Sequence, residues 1–211
     1  MIKNLLFDLG GVIMDIRREN CVKAFEALGM SDANDLLGEY SQAGVFAGIE
    51  NGQLTVGEFH DEIRRIIGRP ELTDEEIDGA FQKFLIGIPA HRLEELDRLH
   101  RQFSIYMLSN TNPILWAGEI DRNFRRQGHD VHYYFDGIVR SYMAGAMKPD
   151  PKIFQAVISH LGIKPEETLF LDDSQRNLDA AAEFGFRTLL VKPGSEFYEL
   201  LKQYPGLDIK E

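Results

Sequence analysis

Residues 4–12 read NLLFDLGGV, an apolar run that ends in one aspartate, Asp8, followed by paired glycines. Three later stretches have the same form, with apolar residues leading into polar turn residues: SIYMLSNT, TLFLDDS and TLLVKPG. Short, nearly continuous apolar runs are typical of strands that are buried on both faces of a parallel sheet. Helical patterns lie between them, in PAHRLEELDRLHRQ, with leucines at helical spacing, and in PKIFQAVISHLG, which runs from a proline to Gly162. The sequence therefore predicts an α/β fold around a parallel sheet.

The region from about residue 17 to residue 89 differs, because it contains successive amphipathic helices with no strand between them. The helical stretches are ENCVKAFEALG, DANDLLGEYSQAGVFAG, TVGEFHDEIRRIIG and TDEEIDGAFQKFLIG. Capping boxes are predicted for Thr55 with Glu58 and for Thr73 with Glu76. A helical extension of the core also fits this pattern, but insertion directly after the first strand favours a lid over that strand's carboxyl end.

The composition argues against several classes of function. The chain has 211 residues, enough for one compact body with an accessory piece, and a formal net charge of −11 with a pI near 5.0. It has no cluster of Lys and Arg that could neutralise phosphates, so we expect no nucleic-acid partner. No segment has the roughly 20 apolar residues of a membrane span, and the single cysteine, Cys21, excludes an internal disulfide. These features predict a cytoplasmic protein with no membrane partner and leave its oligomeric state open.

Polar side chains occur at or just after the ends of the predicted strands, or in a nearby loop. They are Asp8, Ser109, Asn110, Lys148, Asp172 and Asp173. Each has a simpler explanation when taken alone, as a turn former, a loop hydroxyl, a solvated surface charge or a helix N-cap. Because the carboxyl ends of parallel strands converge on one crevice, their order along the chain instead predicts one shared site.

The chemistry of these side chains points to phosphoryl transfer. A carboxylate such as Asp8 can attack phosphorus and divide one difficult displacement into two easier steps. Asp172 and Asp173 would repel Asp8 unless a cation lay among them, and Mg²⁺ prefers such oxygen ligands. Ser109 and Lys148 would then hold the remaining phosphoryl oxygens.

Four stretches resemble, in order, the motifs of the haloacid dehalogenase superfamily of Asp-nucleophile hydrolases: FDLGGV, MLSNT, MKPDPKIF and FLDDSQRNLDAA. The resemblance spans nearly the whole chain and is to members with a helical cap after the first motif. It implies a Rossmann-like core, dependence on Mg²⁺ and hydrolysis of a phosphate ester. We expect a core of residues 1–16 and 90–211 and a helical cap of residues 17–89.

The resemblance also implies a role for each matched residue. Asp8 is the nucleophile, and Lys148 orients the nucleophile and the phosphate. Ser109, with Asn110 beside it, binds phosphate. The same resemblance implies a metal site, whose ligands are Asp8, the backbone carbonyl of Gly10, and Asp173 with Asp172 next to it. Asp173 is the expected direct ligand of that adjacent pair.

The first motif departs from the usual pattern, because phosphatases of this superfamily usually carry a second Asp two residues after the nucleophile. That Asp protonates the leaving oxygen and then activates water, whereas this chain has Gly10 there. The sequence DLGGV resembles a bacterial subgroup that includes phosphatases acting on glucose 1-phosphate. Asp15 could reach back from the start of the cap, although solvating or capping the first cap helix is its favoured role.

The leading hypothesis is a Mg²⁺-dependent phosphatase for a small phosphorylated metabolite, with a sugar phosphate as the expected substrate. A 2-haloacid dehalogenase is one alternative, since it also uses an Asp nucleophile and lacks the second Asp. Carbon–halogen displacement needs no metal, so the pair of Asp172 and Asp173 favours the phosphatase. A weakly active protein that binds a phosphorylated ligand is the other alternative.

Overall fold

The computed structural model describes residues 1–38, 42–126 and 128–210. Its centre is a five-stranded parallel sheet with the strand order β5-β4-β1-β6-β7. The strands are β1 (Asn4–Phe7), β4 (Ser104–Ser109), β5 (Gly137–Arg140), β6 (Thr168–Asp172) and β7 (Arg187–Leu190), and a separate pair consists of β2 (Asp15–Ile16) and β3 (Leu85–Gly87). On the central strand, Leu5 lies opposite Ile105 on one side and Leu169 on the other.

The predicted α/β class and the four predicted strands are confirmed as β1, β4, β6 and β7. The fifth strand, β5, was not predicted. It contains only GIVR, in which one glycine and one arginine interrupt the apolar pattern. It forms because β4 offers it an open edge, where Met107 pairs with Ile138.

Helices cover both faces of the sheet and give the molecule three layers. They are α6 (Ala90–His100), α7 (Pro113–Leu115), α8 (Asp121–Arg125), α9 (Val131–Tyr134), α10 (Ser141–Ala144), α11 (Pro151–Leu161), α12 (Gln175–Ala182) and α13 (Phe197–Lys202). A π-helical turn over Trp116–Ile120 joins α7 to α8, and a 3-10 turn over Pro165–Glu167 precedes β6. On one face Leu6 shares a buried cluster with Phe154 of α11, and on the other Phe7 contacts Phe197 of α13, with ring centres 5.2 Å apart. The two predicted helices, α6 and α11, are confirmed, and Gly162 ends α11.

Five helices lie between β2 and β3 in the sequence: α1 (Arg18–Leu28), α2 (Ala33–Leu36), α3 (Gly44–Glu50), α4 (Val56–Ile67) and α5 (Asp74–Gln82). We call them the helical block. Its interior is aromatic, since the rings of Phe25, Phe46, Phe59 and Phe81 contact one another at centre distances of 4.9 to 6.0 Å. Both predicted capping boxes are present, at the starts of α4 and α5.

Two expectations about the helical block were wrong in detail. The stretch TDEEIDGAFQKFLIG is not one helix, because α5 ends at Gln82 and the chain then forms β3, which pairs antiparallel with β2. The stretch DANDLLGEYSQAGVFAG forms α2 and α3, and its residues 39–41 lie outside the described residues. The block is therefore joined to the sheet by a two-stranded ribbon in which Asp15 lies opposite Gly87.

Among the described residues, every helix is too short or too polar to cross a membrane.

Candidate active site

Asp8 is fixed at the carboxyl end of the central strand. Its backbone N–H donates to the carbonyl oxygen of Leu171 at 2.8 Å, which continues the pairing of β1 with β6 by one residue. Its side chain is only 12% exposed, and its Oδ1 accepts a hydrogen bond from the backbone N–H of Leu9 at 2.7 Å. The carboxyl group therefore has one defined orientation, held by the backbone that follows the strand.

Lys148 connects two of the predicted acidic residues. Its Nζ lies 2.8 Å from Oδ1 of Asp8 and 2.7 Å from Oδ2 of Asp172, and its side chain is 1% exposed. Asn110 positions the lysine, because its Oδ1 accepts from the Lys148 N–H at 2.8 Å and its Nδ2 donates to the Lys148 carbonyl at 3.1 Å. Both ends of the Asn110 side chain are thus engaged in holding Lys148; Asn110 also lines the cavity, and its role in binding phosphate stays a prediction.

Asp172 is held entirely by protein groups. Its Oδ1 accepts hydrogen bonds from the Ser174 N–H at 2.8 Å and from Asn177 Nδ2 at 3.0 Å, while its Oδ2 accepts from Lys148. The residue is fully buried at the end of β6. Of the two adjacent aspartates, Asp172 is therefore the one that orients Lys148, Ser174 and Asn177 through hydrogen bonds.

Asp173 faces the cavity and lies against Gly11. The φ angle of Gly11 is 74°, a left-handed conformation that favours glycine, and a Cβ atom there would overlap the Asp173 carboxyl group. The second glycine of the opening stretch is thus required by the position of Asp173.

Asp8, Asp172 and Asp173 form a carboxylate cluster, in which one oxygen of each lies within 4.8 Å of the others. Burial raises the pKa of Asp8 above its usual value, because Lys148 offsets only part of the effect of desolvation and the other two aspartates raise the pKa further. Burial alone would lower the pKa of Lys148, but Asp172 and Asp8 outweigh burial and raise it above its usual value. Three carboxylates against one lysine leave an excess of negative charge, and carboxylate oxygens are what a hard divalent cation prefers. The residues therefore fit a Mg²⁺ site.

A cavity of about 80 Å³ lies between this cluster and the helical block. On the sheet side it is lined by Asp8, Gly10, Ser109, Lys148 and Asp173. On the other sides it is lined by Ile16, Gln42, Glu50, Phe81, Phe84, Leu85, Thr111, Leu115 and Ile120. Ser109 is 2% exposed, and its hydroxyl makes only a long 3.4 Å hydrogen bond to the Asn110 carbonyl, so it can turn toward a ligand.

Glu50 is a cavity residue that the sequence analysis missed. It is the last residue of α3, it is 5% exposed, and burial raises its pKa to about 8, with the Asn112 side chain opposing part of the rise. One signal was available, because Glu50 follows Phe46 by four residues and thus shares the apolar face of its helix. A carboxyl group on such a face is buried, and here it faces the cavity.

Asp15 lies outside the cavity lining and neither caps the first helix nor reaches Asp8. It belongs to β2 and pairs with Arg92, with 2.8 Å between Oδ1 and Nη1. The same arginine also binds Glu196 and the carbonyl oxygen of Ile13. Asp15 therefore helps to fix the ribbon to the core.

The fold and the carboxylate cluster together define a hydrolase with a Rossmann-like α/β core. The family model for haloacid dehalogenase-like hydrolases matches residues 2–185, and the chain belongs to that family. The resemblance seen in the four motifs is thus confirmed, whereas the finer likeness to the glucose 1-phosphate subgroup stays a prediction.

Similar proteins match over nearly the whole chain. A D-ribitol-5-phosphate phosphatase from Bacteroides thetaiotaomicron is 37% identical over 95% of this chain and 97% of its own. A haloacid dehalogenase family enzyme from the same species, solved in complex with magnesium and inorganic phosphate, is 38% identical with a TM-score of 0.87, covering 95% of this chain and 99% of its own. A predicted hydrolase of this type from Porphyromonas gingivalis is 34% identical with a TM-score of 0.89, covering 96% and 97%.

Proposed function

We propose that this protein is a Mg²⁺-dependent phosphatase that hydrolyses a small phosphorylated sugar or polyol through an aspartyl-phosphate on Asp8. The observation that carries the proposal is the carboxylate cluster with its buried lysine. The cluster lies at the carboxyl end of the central strand and lines the cavity. The similar phosphatase and the similar structure with magnesium and phosphate support the same reaction.

The residues that would hold Mg²⁺ are Asp8, Asp173 and the backbone carbonyl of Gly10. Asp172 would support them from behind, because both of its oxygens already accept hydrogen bonds from the protein. When bound, the ion supplies positive charge to the phosphoryl oxygens as they gain negative charge during transfer.

The protein's own residues carry the two displacements. In the first, the Asp8 carboxylate attacks phosphorus, the bond from phosphorus to the ester oxygen breaks, and the departing alkoxide takes a proton from water. In the second, a water oxygen attacks phosphorus, the bond to Asp8 breaks, and inorganic phosphate and the free carboxylate result. Lys148 and the Leu9 N–H hold the carboxylate toward the cavity throughout, and Lys148 with Ser109 binds the phosphoryl oxygens.

The carboxylate cluster also weighs against the dehalogenase alternative. Displacement of halide from carbon needs one carboxylate nucleophile and no cation. Here two further aspartates lie beside the nucleophile at a cost in electrostatic repulsion, which a cation would remove.

We also propose that residues 17–89 act as a cap over residues 1–16 and 90–211. The support is that Gln42, Glu50 and Phe81 of this region line the cavity opposite Asp8. Cytoplasmic location stays a prediction, based on the single cysteine.

A phosphate-release screen tests the proposal. Sugar phosphates, polyol phosphates, nucleotides and p-nitrophenyl phosphate are each incubated with the protein in Mg²⁺ or in EDTA. We expect release from at least one small sugar or polyol phosphate in Mg²⁺, none in EDTA, and none from Asp8→Asn. The exposed Asp35→Asn serves as the matched control and should retain full activity. Equal release in EDTA, or release by Asp8→Asn, would show that the proposal is wrong.

A further inference from the structure

Three polar atoms around the cavity have no hydrogen-bond partner among the described residues. They are Oε1 of Gln42, Oγ1 of Thr111 and Nδ2 of Asn112, and all three atoms are buried. Gln42 and Thr111 line the cavity directly, and Asn112 follows Thr111 in the chain. Buried polar groups in native proteins are nearly always paired, so several unpaired atoms together at one cavity point to a ligand that pairs them.

These side chains are held in place by the fold. The Ser141 hydroxyl accepts from the Thr111 N–H and donates to the Thr111 carbonyl, both at 2.9 Å. The Oδ1 of Asn112 caps α7 by accepting from the Leu115 N–H at 3.0 Å, which leaves its Nδ2 as the free end. A ligand that bound here would meet donors and acceptors that are already oriented.

Glu50 also lines the cavity and adds a fourth polar group. Its carboxyl group is buried and its pKa is raised, so that it is neutral near pH 7 and both donates and accepts hydrogen bonds. The Nδ2 of Asn112 lies beside it, but the geometry between the two falls short of a hydrogen bond.

The charge of the cavity narrows the class of ligand. Of the described residues that line it, Lys148 is the only cation, and it is already paired with Asp8 and Asp172. A second anionic group on the substrate would therefore find no unpaired positive charge among the described residues that line the cavity. Alcohol hydroxyls, which donate and accept, complement an amide oxygen, an amide nitrogen, a hydroxyl and a neutral carboxyl group.

We propose that Gln42, Glu50, Thr111 and Asn112 form a hydroxyl subsite that selects the monophosphate of an otherwise uncharged polyhydroxy compound. The inference rests on the proposed function for the phosphate end of the substrate, and it assigns the recognition of the remainder to these four residues.

The test measures binding apart from turnover, by titration calorimetry in the full-length Asp8→Asn protein with Mg²⁺. Two probes are compared: D-ribitol 5-phosphate, and n-pentyl phosphate, which has the same number of carbons and no hydroxyls. We expect the parent to prefer the polyol phosphate at least 10-fold. Thr111→Val, which keeps the shape and removes the hydroxyl, should reduce this preference about 5- to 10-fold.

Substitutions at Glu50 extend the test. Glu50→Leu should reduce the preference at least as much as Thr111→Val, whereas Glu50→Gln should keep it within about 3-fold, because an amide also donates and accepts. Thr188→Val on β7, at a residue outside the cavity lining, is the matched control and should leave the preference unchanged. 3-Phosphoglycerate, with a distal carboxylate, should bind more weakly than the polyol phosphate.

The outcomes separate this inference from the proposed function. An unchanged preference in both Thr111→Val and Glu50→Leu, or tighter binding of 3-phosphoglycerate, would overturn the subsite, even if the Asp8-intact protein releases phosphate. A preference that depends on Thr111 would support the subsite, even if the intact protein releases no phosphate from any ester, in which case only the proposed function fails.

Discussion

Replacing Glu50 with glutamine should stabilise the protein increasingly as the pH rises. The pKa of this buried carboxyl group is raised from 4.5 to about 8, so the folded state binds its proton more tightly than the unfolded state does. The neutral carboxyl therefore contributes fully to stability below pH 4.5, and this contribution is lost as the pH rises through the window up to about 8. The amide introduced by Glu50→Gln would have no proton to lose and would escape this loss.

The size of the effect follows from the shift. Each pKa unit corresponds to about 1.4 kcal/mol, so the free energy of unfolding of Glu50→Gln relative to the wild type should grow by roughly 2 to 3 kcal/mol between pH 5 and pH 7. Contributions from the Asp8 cluster cancel, because both proteins contain it.

Urea unfolding, followed by the fluorescence of the single tryptophan, Trp116, measures this difference at pH 5, 6 and 7 in EDTA. Glu26→Gln, which replaces an exposed glutamate of α1, is the matched control and should show a difference that does not vary with pH. If the Glu50→Gln difference is also constant from pH 5 to pH 7, the carboxyl group is hydrated in the folded state and the reasoning about the cavity wall is wrong.

Three further predictions concern the carboxylate cluster and its glycines. Asp173→Asn should weaken Mg²⁺ binding at least 10-fold and lower phosphate release in parallel, since a charged oxygen ligand is lost; unchanged Mg²⁺ affinity by calorimetry would refute its role. Gly11→Ala should lower both the Mg²⁺ affinity and the melting temperature, because φ at this position is 74° and the added Cβ would overlap Asp173. The matched control, Gly10→Ala, should keep the melting temperature, because its added Cβ would lie 3.5 Å from Ile16, an ordinary contact distance. Gly10→Asp should fit for the same reason and should raise the first-turnover rate for sugar phosphates relative to p-nitrophenyl phosphate by roughly 10²-fold or more; an unchanged ratio in rapid mixing would show that no acid is missing at this position.

The sequence was sufficient for four of the five strands of the sheet and for the ordered set of polar residues at its edge. Buried parallel strands need continuous apolar runs, and these are visible without knowledge of any contact. Strands β2 and β3 were missed because they have only two and three residues and exist through pairing with each other across about 70 positions. Such short strands carry no periodic pattern of their own.

Individual roles within the site depended on contacts that no local pattern encodes. Asp172 and Asp173 are adjacent and chemically identical, yet Asp172 accepts hydrogen bonds from Ser174 and Asn177, whereas Asp173 lines the cavity. Asn110 likewise follows a strand as a phosphate-binding residue would, but its side chain closes on the backbone of Lys148. These contacts are set by tertiary geometry, which the local sequence does not encode.

The source of the proton for the leaving oxygen can be narrowed by elimination. Gly10 has no acid to give, and Asp15 is held by Arg92 outside the cavity lining. Of the acidic side chains that line the cavity in the described part of the chain, Asp8 is assigned to attack and Asp173 to the cation, which leaves Glu50. Glu50 is assigned to the hydroxyl subsite, where it lies beside Asn112. Glu50 is thus placed to recognise hydroxyls, and the first displacement has no dedicated acid from these side chains. A protein without a general acid should hydrolyse esters whose alcohol is a poor leaving group much more slowly than esters with a good leaving group. Gly10→Asp is expected to reduce this difference in rate.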